Sequence, residues 1–119
     1  MLTPELIAID AARAADDRKA VDVRVMDMRK ALGITDYFVI ASGNSDRQVR
    51  RIMDSVQEKL RENGSRPARR EGEKYGGWII LDYVDVVIHI FREEERSFYD
   101  LERLWQDAPP VDWRGKVST

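Results

Sequence analysis

Few side chains in this sequence have the type and spacing that chemistry needs. His89 is the only histidine among 119 residues, and cysteine is absent. Metal sites in proteins usually combine several His, Cys or carboxylate ligands. Without cysteine, a thiolate nucleophile, a thiolate zinc site and a cysteine-bound iron–sulfur cluster are all excluded. We therefore predict that His89 is a hydrogen-bonded structural or interface residue, and that the protein uses no metal and no cofactor.

Two carboxylates, Asp82 and Asp85, lie three positions apart. Paired carboxylates can bind magnesium or exchange protons with a substrate. They also flank a short segment between two apolar runs, where Asp is a favoured turn residue. The turn interpretation is favoured, and a nucleotidyltransferase-like, nucleotide-binding enzyme stays open as the alternative function.

The segment 42–45, SGNS, leads from a predicted strand into a predicted helix, as phosphate-binding loops do. It lacks the lysine of a P-loop and the glycines of a dinucleotide fingerprint. A turn followed by a helix N-cap explains it fully. Basic residues are more suggestive, because they could contact RNA phosphates or an acidic protein. They form two clusters: Arg47, Arg50 and Arg51, and Arg66, Arg69 and Arg70.

Composition sets the class of protein. The length suits one domain, and the formal net charge of -2 argues against a generally basic nucleic-acid binder. No basic stretch followed by an apolar run marks a signal peptide, and no apolar segment reaches the ~20 residues of a membrane span. We expect a cytoplasmic protein with a domain over residues 1–108 and an irregular tail over 109–119. A frayed end is favoured for Trp113, and docking of its ring onto the domain is the alternative.

The apolar spacing predicts an alternation of helices and strands. A helix capped by Thr3 is followed by strands over 21–28 and 37–41, and then by a helix from the Ser45 cap to Gly64. An edge strand over 67–71, a hairpin of strands 78–83 and 86–91, and a helix from 93 onward complete the order. This order indicates an α+β protein with helices packed on a mixed sheet. Phe98, Leu101, Leu104 and Trp105 should form the apolar face of the last helix.

The hairpin separates its side chains into two faces, because successive residues of a strand alternate. An aliphatic face should lie on the helices. The other face is mixed and is typical of a protein–protein hot spot, although a second helix could equally well cover it. It carries Trp78, Ile80, Asp82, Val87, His89 and Phe91. Because Val84 is poorly suited to positive φ, we predict a turn that does not need it.

Several motifs in a fixed order resemble one known family. They are ITDYFVIASGNS at 34–45, RQV at 47–49, EG at 71–72, WIILDY at 78–83, DVVIHIF at 85–91, ER at 95–96, FY at 98–99 and LERLW at 101–105. Together they resemble the ribosomal silencing factors, also called the Iojap-like family, over residues 3–109. One departure is Val84, where glycine is expected in many relatives.

The resemblance implies a nucleotidyltransferase-like topology without the catalytic carboxylates, and so a protein that is not an enzyme. It implies a translational repressor that binds the large ribosomal subunit through ribosomal protein number fourteen. The bound factor would block joining of the small subunit and lower translation when nutrients are scarce. A free homodimer is a further expectation, and direct RNA contact is left open.

The predicted partner-binding residues lie in these motifs. Trp78 and Phe91 are expected to be apolar anchors, with Ile80 filling space between them. Asp82 would face a basic group, and Tyr99 would add a polar-tipped aromatic ring. His89 completes the set.

Overall fold

A mixed six-stranded sheet forms the centre of the computed structural model, which describes residues 2–31, 33–74 and 77–115. The elements are α1 (Pro4–Asp17), β1 (Val21–Asp27), β2 (Tyr37–Gly43), α2 (Asp46–Glu62), β3 (Arg69–Glu71), β4 (Trp78–Asp82), β5 (Val86–Arg92), α3 (Glu93–Tyr99), α4 (Leu101–Leu104) and β6 (Pro110–Val111). The strand order is β3-β4-β5-β2-β1-β6. Only the β2–β5 pair in this sheet is parallel. The predicted α+β class is confirmed.

Both long helices begin at the predicted caps. The Thr3 hydroxyl accepts a hydrogen bond from the Leu6 N–H at 3.2 Å, and the Ser45 hydroxyl accepts one from the Gln48 N–H at 3.2 Å. Gly64 follows the end of α2 with a φ of +88°, the left-handed conformation that ends many helices. No helix in the described part of the chain is long and apolar enough to cross a membrane.

The first face of the sheet holds the larger core. Helices α1 and α2 pack on it and cover the aliphatic side chains of the hairpin, as the alternation predicts. Ile79, Leu81, Val86, Ile88 and Ile90 are fully buried there, and Tyr83 packs at the margin.

The second face holds a smaller core that only part of the chain covers. Its buried members are Met26, Met28, Phe38, Ile40, Phe91 and Ala108. Leu101 and Trp105, from α4 and the turn after it, pack over this cluster.

The predicted last helix is divided in two. Asp100 has a φ of +50° and separates α3 from α4. A left-handed residue redirects the chain, so a single apolar stripe cannot continue across it. Leu101 and Trp105 pack on the sheet as predicted, but Phe98 and Leu104 are 80% and 71% exposed. The prediction that these two residues face the core is wrong.

The chain after Asp107 also differs from the prediction. Residues Pro110–Val111 form β6 against β1, and Trp113 is buried, its indole Nε1 donating to the Val23 carbonyl at 3.1 Å. Next to β1 the indole ring packs on apolar side chains while its N–H keeps a hydrogen-bond acceptor, so docking buries the ring without leaving the N–H unpaired. The frayed end predicted for Trp113 is therefore wrong. Residues 116–119 of that segment lie outside the described residues.

The hairpin turn corrects a third prediction. Val84 has a φ of +73°, in the left-handed region, so the prediction of a turn without positive φ is wrong. The Asp85 N–H donates to the Tyr83 carbonyl at 2.9 Å, which closes a three-residue turn centred on Val84. Because the Tyr83 N–H also donates to the Val86 carbonyl at 2.8 Å, only Val84 and Asp85 remain to reverse the direction of the chain. The backbone therefore adopts positive φ at a residue that disfavours it.

Candidate protein-interaction site

Strand register brings the predicted site residues of the hairpin onto one face. Trp78 pairs with Phe91, Ile80 with His89, and Asp82 with Val87. These pairs point to the second face of the sheet, on the side of the smaller core. The sharing of a face predicted from alternation is thus confirmed for the five hairpin residues of the site.

Four aromatic rings form a column that runs from this core to the surface. The Trp78 ring stacks on Phe91 with centroids 4.9 Å apart. The Tyr99 ring is tilted against Trp78, with centroids 4.8 Å apart. Phe98 meets Tyr99 edge to face at 5.1 Å. Offset and edge-to-face contacts at these distances are favourable for aromatic pairs. We call Phe91, Trp78, Tyr99 and Phe98 the aromatic column.

Exposure increases along the aromatic column. Phe91 is fully buried, Trp78 is half-buried, Tyr99 is 52% exposed and Phe98 is 80% exposed. Phe91 therefore cannot be a surface anchor in this conformation, because Trp78 and the α4 region cover it. Its place in the site is corrected to that of a support beneath Trp78.

His89 is likewise buried, at 5% exposure. The Trp78 indole Nε1 donates to His89 Nδ1 at 3.2 Å, and the His89 and Phe38 rings meet edge to face with centroids 4.6 Å apart. Burial lowers the pKa of His89 to about 4, so the imidazole is neutral near pH 7. Because Nδ1 accepts, the proton lies on Nε2, which has no hydrogen-bond partner in the described structure. The predicted hydrogen-bonded role is confirmed, and His89 positions the Trp78 ring from below.

Asp82 serves the hairpin turn, as the favoured interpretation predicts. One carboxylate oxygen accepts from the Val84 N–H at 2.8 Å, and the other lies 3.4 Å from the Arg69 guanidinium on β3. Ile80 is half-buried next to it, paired with Glu71 across the sheet. Among the described residues, no group of three or more His, Asp or Glu side chains is arranged to hold a metal ion.

Arg96 anchors the helix that carries the exposed end of the column. Its side chain is 11% exposed, and the guanidinium donates to both carboxylate oxygens of Glu102, at 2.8 and 3.2 Å. It also donates to the Val21 carbonyl at 3.1 Å and to the Ser42 hydroxyl at 3.0 Å. Arg96 thereby ties α3 to β1, β2 and α4 at once.

Sequence reasoning assigned no role to Arg96 or Glu102, and it placed Phe98 and Leu104 on the apolar face of the last helix and not at the surface. The six-residue spacing of Arg96 and Glu102 carries no helical signal, because Asp100 interrupts the helix between them. Both residues do lie within the quoted family motifs, and that was the one available signal.

The two arginine clusters are placed differently from each other. The first lies on α2, on the face of the sheet opposite the aromatic column. The second surrounds the edge strand β3, where Arg69 faces Asp82 and Arg70 lies 3.5 Å from Glu73. Arg50 of the first cluster donates to the Glu73 carbonyl. The two clusters therefore approach each other at Glu73, which both Arg50 and Arg70 contact.

Comparison with known proteins places the chain in a family. The family model described as ribosomal silencing factor during starvation matches residues 2–118. The ribosomal silencing factor RsfS of Bacillus subtilis is 43% identical over 102 residues, 86% of each chain. That of Halalkalibacterium halodurans is 39% identical over 118 residues, 99% of this chain and all of the relative. A crystal structure of a Chromobacterium violaceum protein superposes with a TM-score of 0.85 at 34% identity and covers 88% of each chain.

The fold and these relatives define the class as ribosome-associated regulatory proteins. The chain belongs to the ribosomal silencing factor family. Membership implies a ribosome-associated role in the regulation of translation.

Proposed function

We propose that the protein is a cytoplasmic translational repressor that binds the large ribosomal subunit through ribosomal protein number fourteen. The bound factor occupies the surface that the small subunit needs and prevents the subunits from joining. Translation then falls when nutrients are scarce. The protein acts by occupancy and catalyses no reaction.

The aromatic column is the observation that carries this proposal. Phe98, Tyr99 and Leu104 are large apolar side chains that are at least half exposed. Clusters of exposed aromatic side chains mark protein interaction sites, because interface hot spots are enriched in aromatic residues. The column rests on a fully buried Phe91, and Arg96 fixes the helix that carries its tip. It is therefore a preorganised anchor, which lowers the entropic cost of association.

The catalytic alternative has little support in the geometry. A nucleotidyltransferase needs carboxylates free to hold magnesium. Both oxygens of Asp82 instead face donors of the protein, the Val84 N–H and the Arg69 guanidinium. In the repressor, Asp82 would exchange Arg69 for a basic group of the ribosomal protein.

Binding to isolated large subunits tests the proposal. Wild-type protein should co-sediment with large subunits and reduce the formation of complete ribosomes from purified subunits. Tyr99→Ala and Phe98→Ala should each weaken binding by about tenfold or more, the range expected for aromatic anchors. A pull-down with purified ribosomal protein number fourteen then tests the named partner.

Ile34→Ala is the matched control. Ile34 is 80% exposed, like Phe98. It precedes β2, whose first residue Tyr37 pairs with Val86, whereas α3 follows the far end of β5. The control residue thus lies at the opposite end of the sheet. Equal losses for Ile34→Ala and Phe98→Ala, or no binding by the wild type, would contradict the proposal.

We also propose that the free protein forms a homodimer through the exposed part of the same column. Apolar groups that wait for a partner are often covered by a second copy across a two-fold axis. Sedimentation equilibrium should then show a dimer that Phe98→Ala weakens. A monomer at every concentration would contradict this part of the proposal.

A further inference from the structure

A second surface on the molecule carries an excess of positive charge. A depression of about 570 Å³ lies where α2 begins and the α1–β1 connection passes it. Four cationic side chains line it, and each of these residues is exposed: Arg18, Lys19, Arg47 and Arg51. Asp17 is the one carboxylate among its described lining residues. We call this depression the basic pocket.

The four cations are not used to stabilise the fold. Within residues 2–31, 33–74 and 77–115, none of them forms an ion pair with a carboxylate, whereas Arg24, Arg29, Arg61 and Arg92 all do. Like charges held around one depression repel each other. An external anion would relieve that repulsion, so the pocket favours a negatively charged ligand.

A single side chain holds the pocket in shape. The Gln48 amide nitrogen donates to the Lys19 carbonyl at 3.0 Å and approaches the Arg18 carbonyl at 3.4 Å. Its amide oxygen accepts from the Asn44 N–H at 2.7 Å. Gln48 thus links the turn that carries Arg18 and Lys19 to the start of α2, which carries Arg47 and Arg51. The positive end of the α2 dipole, over 17 residues, adds to the same field.

The pocket lies at the same end of the sheet as the exposed part of the aromatic column. Strands β2 and β5 are parallel, and at their common end the chain enters α2 on one face and α3 on the other. Arg92 joins the two starts, lying 3.4 Å from Asp46 of α2 and 2.6 Å from Glu95 of α3. One large partner could therefore contact the column and the pocket together.

We propose that the basic pocket binds the phosphate backbone of RNA beside the protein partner. The inference rests on the proposed function, because a ribosomal subunit surrounds its proteins with RNA. No aromatic side chain lines the described pocket on which a base could stack. Contacts to phosphate alone carry no sequence preference. Binding should therefore be insensitive to sequence and strongly dependent on salt.

Fluorescence anisotropy with a short fluorescein-labelled RNA hairpin tests the pocket directly. The double variant Arg47→Glu/Arg51→Glu removes two exposed cations without touching an ion pair. It should weaken RNA binding by about tenfold or more and reduce the slope of log affinity against log salt by about 1 to 2. Circular dichroism and thermal unfolding check that the fold is retained.

The matched control is Arg66→Glu/Lys74→Glu, which makes the same charge change at two exposed positions near β3. It should leave RNA affinity and its salt slope close to those of the wild type. A larger loss in the control, or no binding of the hairpin by the wild type, would overturn the proposal. Binding of labelled polyglutamate by the wild type with no binding of RNA would also overturn it and would indicate an acidic protein instead.

Co-sedimentation with large subunits separates this inference from the proposed function. If the pocket variant loses affinity for both the hairpin and the large subunit, the inference is supported. If the wild type binds the hairpin through the pocket but does not bind large subunits, the proposed function fails and the pocket stands. If large subunits bind the pocket variant as tightly as the wild type, RNA contact in the complex is refuted.

Discussion

The backbone of Val84 is strained, and its exposed side chain makes too little contact to offset that strain. It is β-branched, has a φ of +73° and is 60% exposed at the tip of the hairpin. Left-handed geometry costs a residue with a Cβ about 1 to 2 kcal/mol. We expect Val84→Gly to raise the free energy of unfolding by about 1 kcal/mol, measured by urea denaturation, because the relieved strain exceeds the entropy that glycine adds to the unfolded chain.

The control for this variant is Val87→Gly, in the regular part of β5. There the glycine removes packing without relieving strain, so we expect a loss of about 1 kcal/mol or more. If both variants destabilise equally, Val84 is not strained.

His89 predicts a pH dependence of stability. Burial lowers its pKa to about 4 in the folded protein, from an ordinary value of 6.5. Between these two values the unfolded chain binds a proton that the folded chain does not, so the free energy of unfolding falls as the pH drops from 6.5 to 4. The loss over this interval should approach about 3 kcal/mol. Urea denaturation over a pH series measures it.

His89→Asn is the comparison, because its amide oxygen can accept from Trp78 but does not titrate. The difference in stability between wild type and variant should change with pH only over that interval. A difference that is flat from pH 7 to pH 4 would show that the imidazole is accessible to protons in the folded state.

Among the elements, α3 and α4 depend on one ionic anchor. Neither helix has a fully buried side chain, so packing alone holds them weakly. Arg96→Ala leaves Glu102 without its bidentate partner, and we expect a loss of about 3 kcal/mol in the free energy of unfolding. Amide hydrogen exchange over residues 93–104 should accelerate more than exchange in the strands.

Arg24→Ala tests whether the burial of Arg96 causes the large loss of stability expected for Arg96→Ala. Arg24 also lies 3.3 Å from Glu102, but its side chain is 56% exposed. Exposed ion pairs contribute about 1 kcal/mol or less. Comparable losses for the two variants would contradict a special role for Arg96.

Elements with a local signal were predictable from the sequence, and those that depend on distant contacts were not. The Thr3 and Ser45 caps, the α2 stripe and the alternation of the hairpin all depend on residues a few positions apart. Which face of the hairpin is covered depends on the break at Asp100, and no glycine marks that left-handed position. Trp113 reaches the Val23 carbonyl across 90 positions, a contact that no periodicity encodes.

The candidate site shows the same division. That Trp78, Ile80, Asp82, His89 and Phe91 share a face follows from the period of two. The burial of Phe91 follows instead from Trp78 and the α4 region packing over it, and that of His89 from the Trp78 and Phe38 rings against it, which is tertiary information. Tyr99 was placed in the site through the family resemblance, and its ring does lie against Trp78.

At the scale of the molecule, the aromatic column and the basic pocket lie on opposite faces of one end of the sheet. Substitutions that share no contacts usually have additive effects on free energy, to within about 0.5 kcal/mol. We expect Phe98→Ala and Arg47→Glu/Arg51→Glu to add in this way in their effect on binding to large subunits. Co-sedimentation of the single and combined variants measures it, and raised salt should reduce only the contribution of the pocket.

The parallel pairing of β2 with β5 has a consequence for how the chain folds. Its partners, such as Tyr37 with Val86, are separated by α2, β3 and β4 along the chain. Pairings this distant require a long loop to close before they contribute any stability, which slows folding. During synthesis the β2–β5 pairing cannot be completed until Arg92 has been added, so β1 and β2 wait for their central partner while α2, β3, β4 and β5 are made.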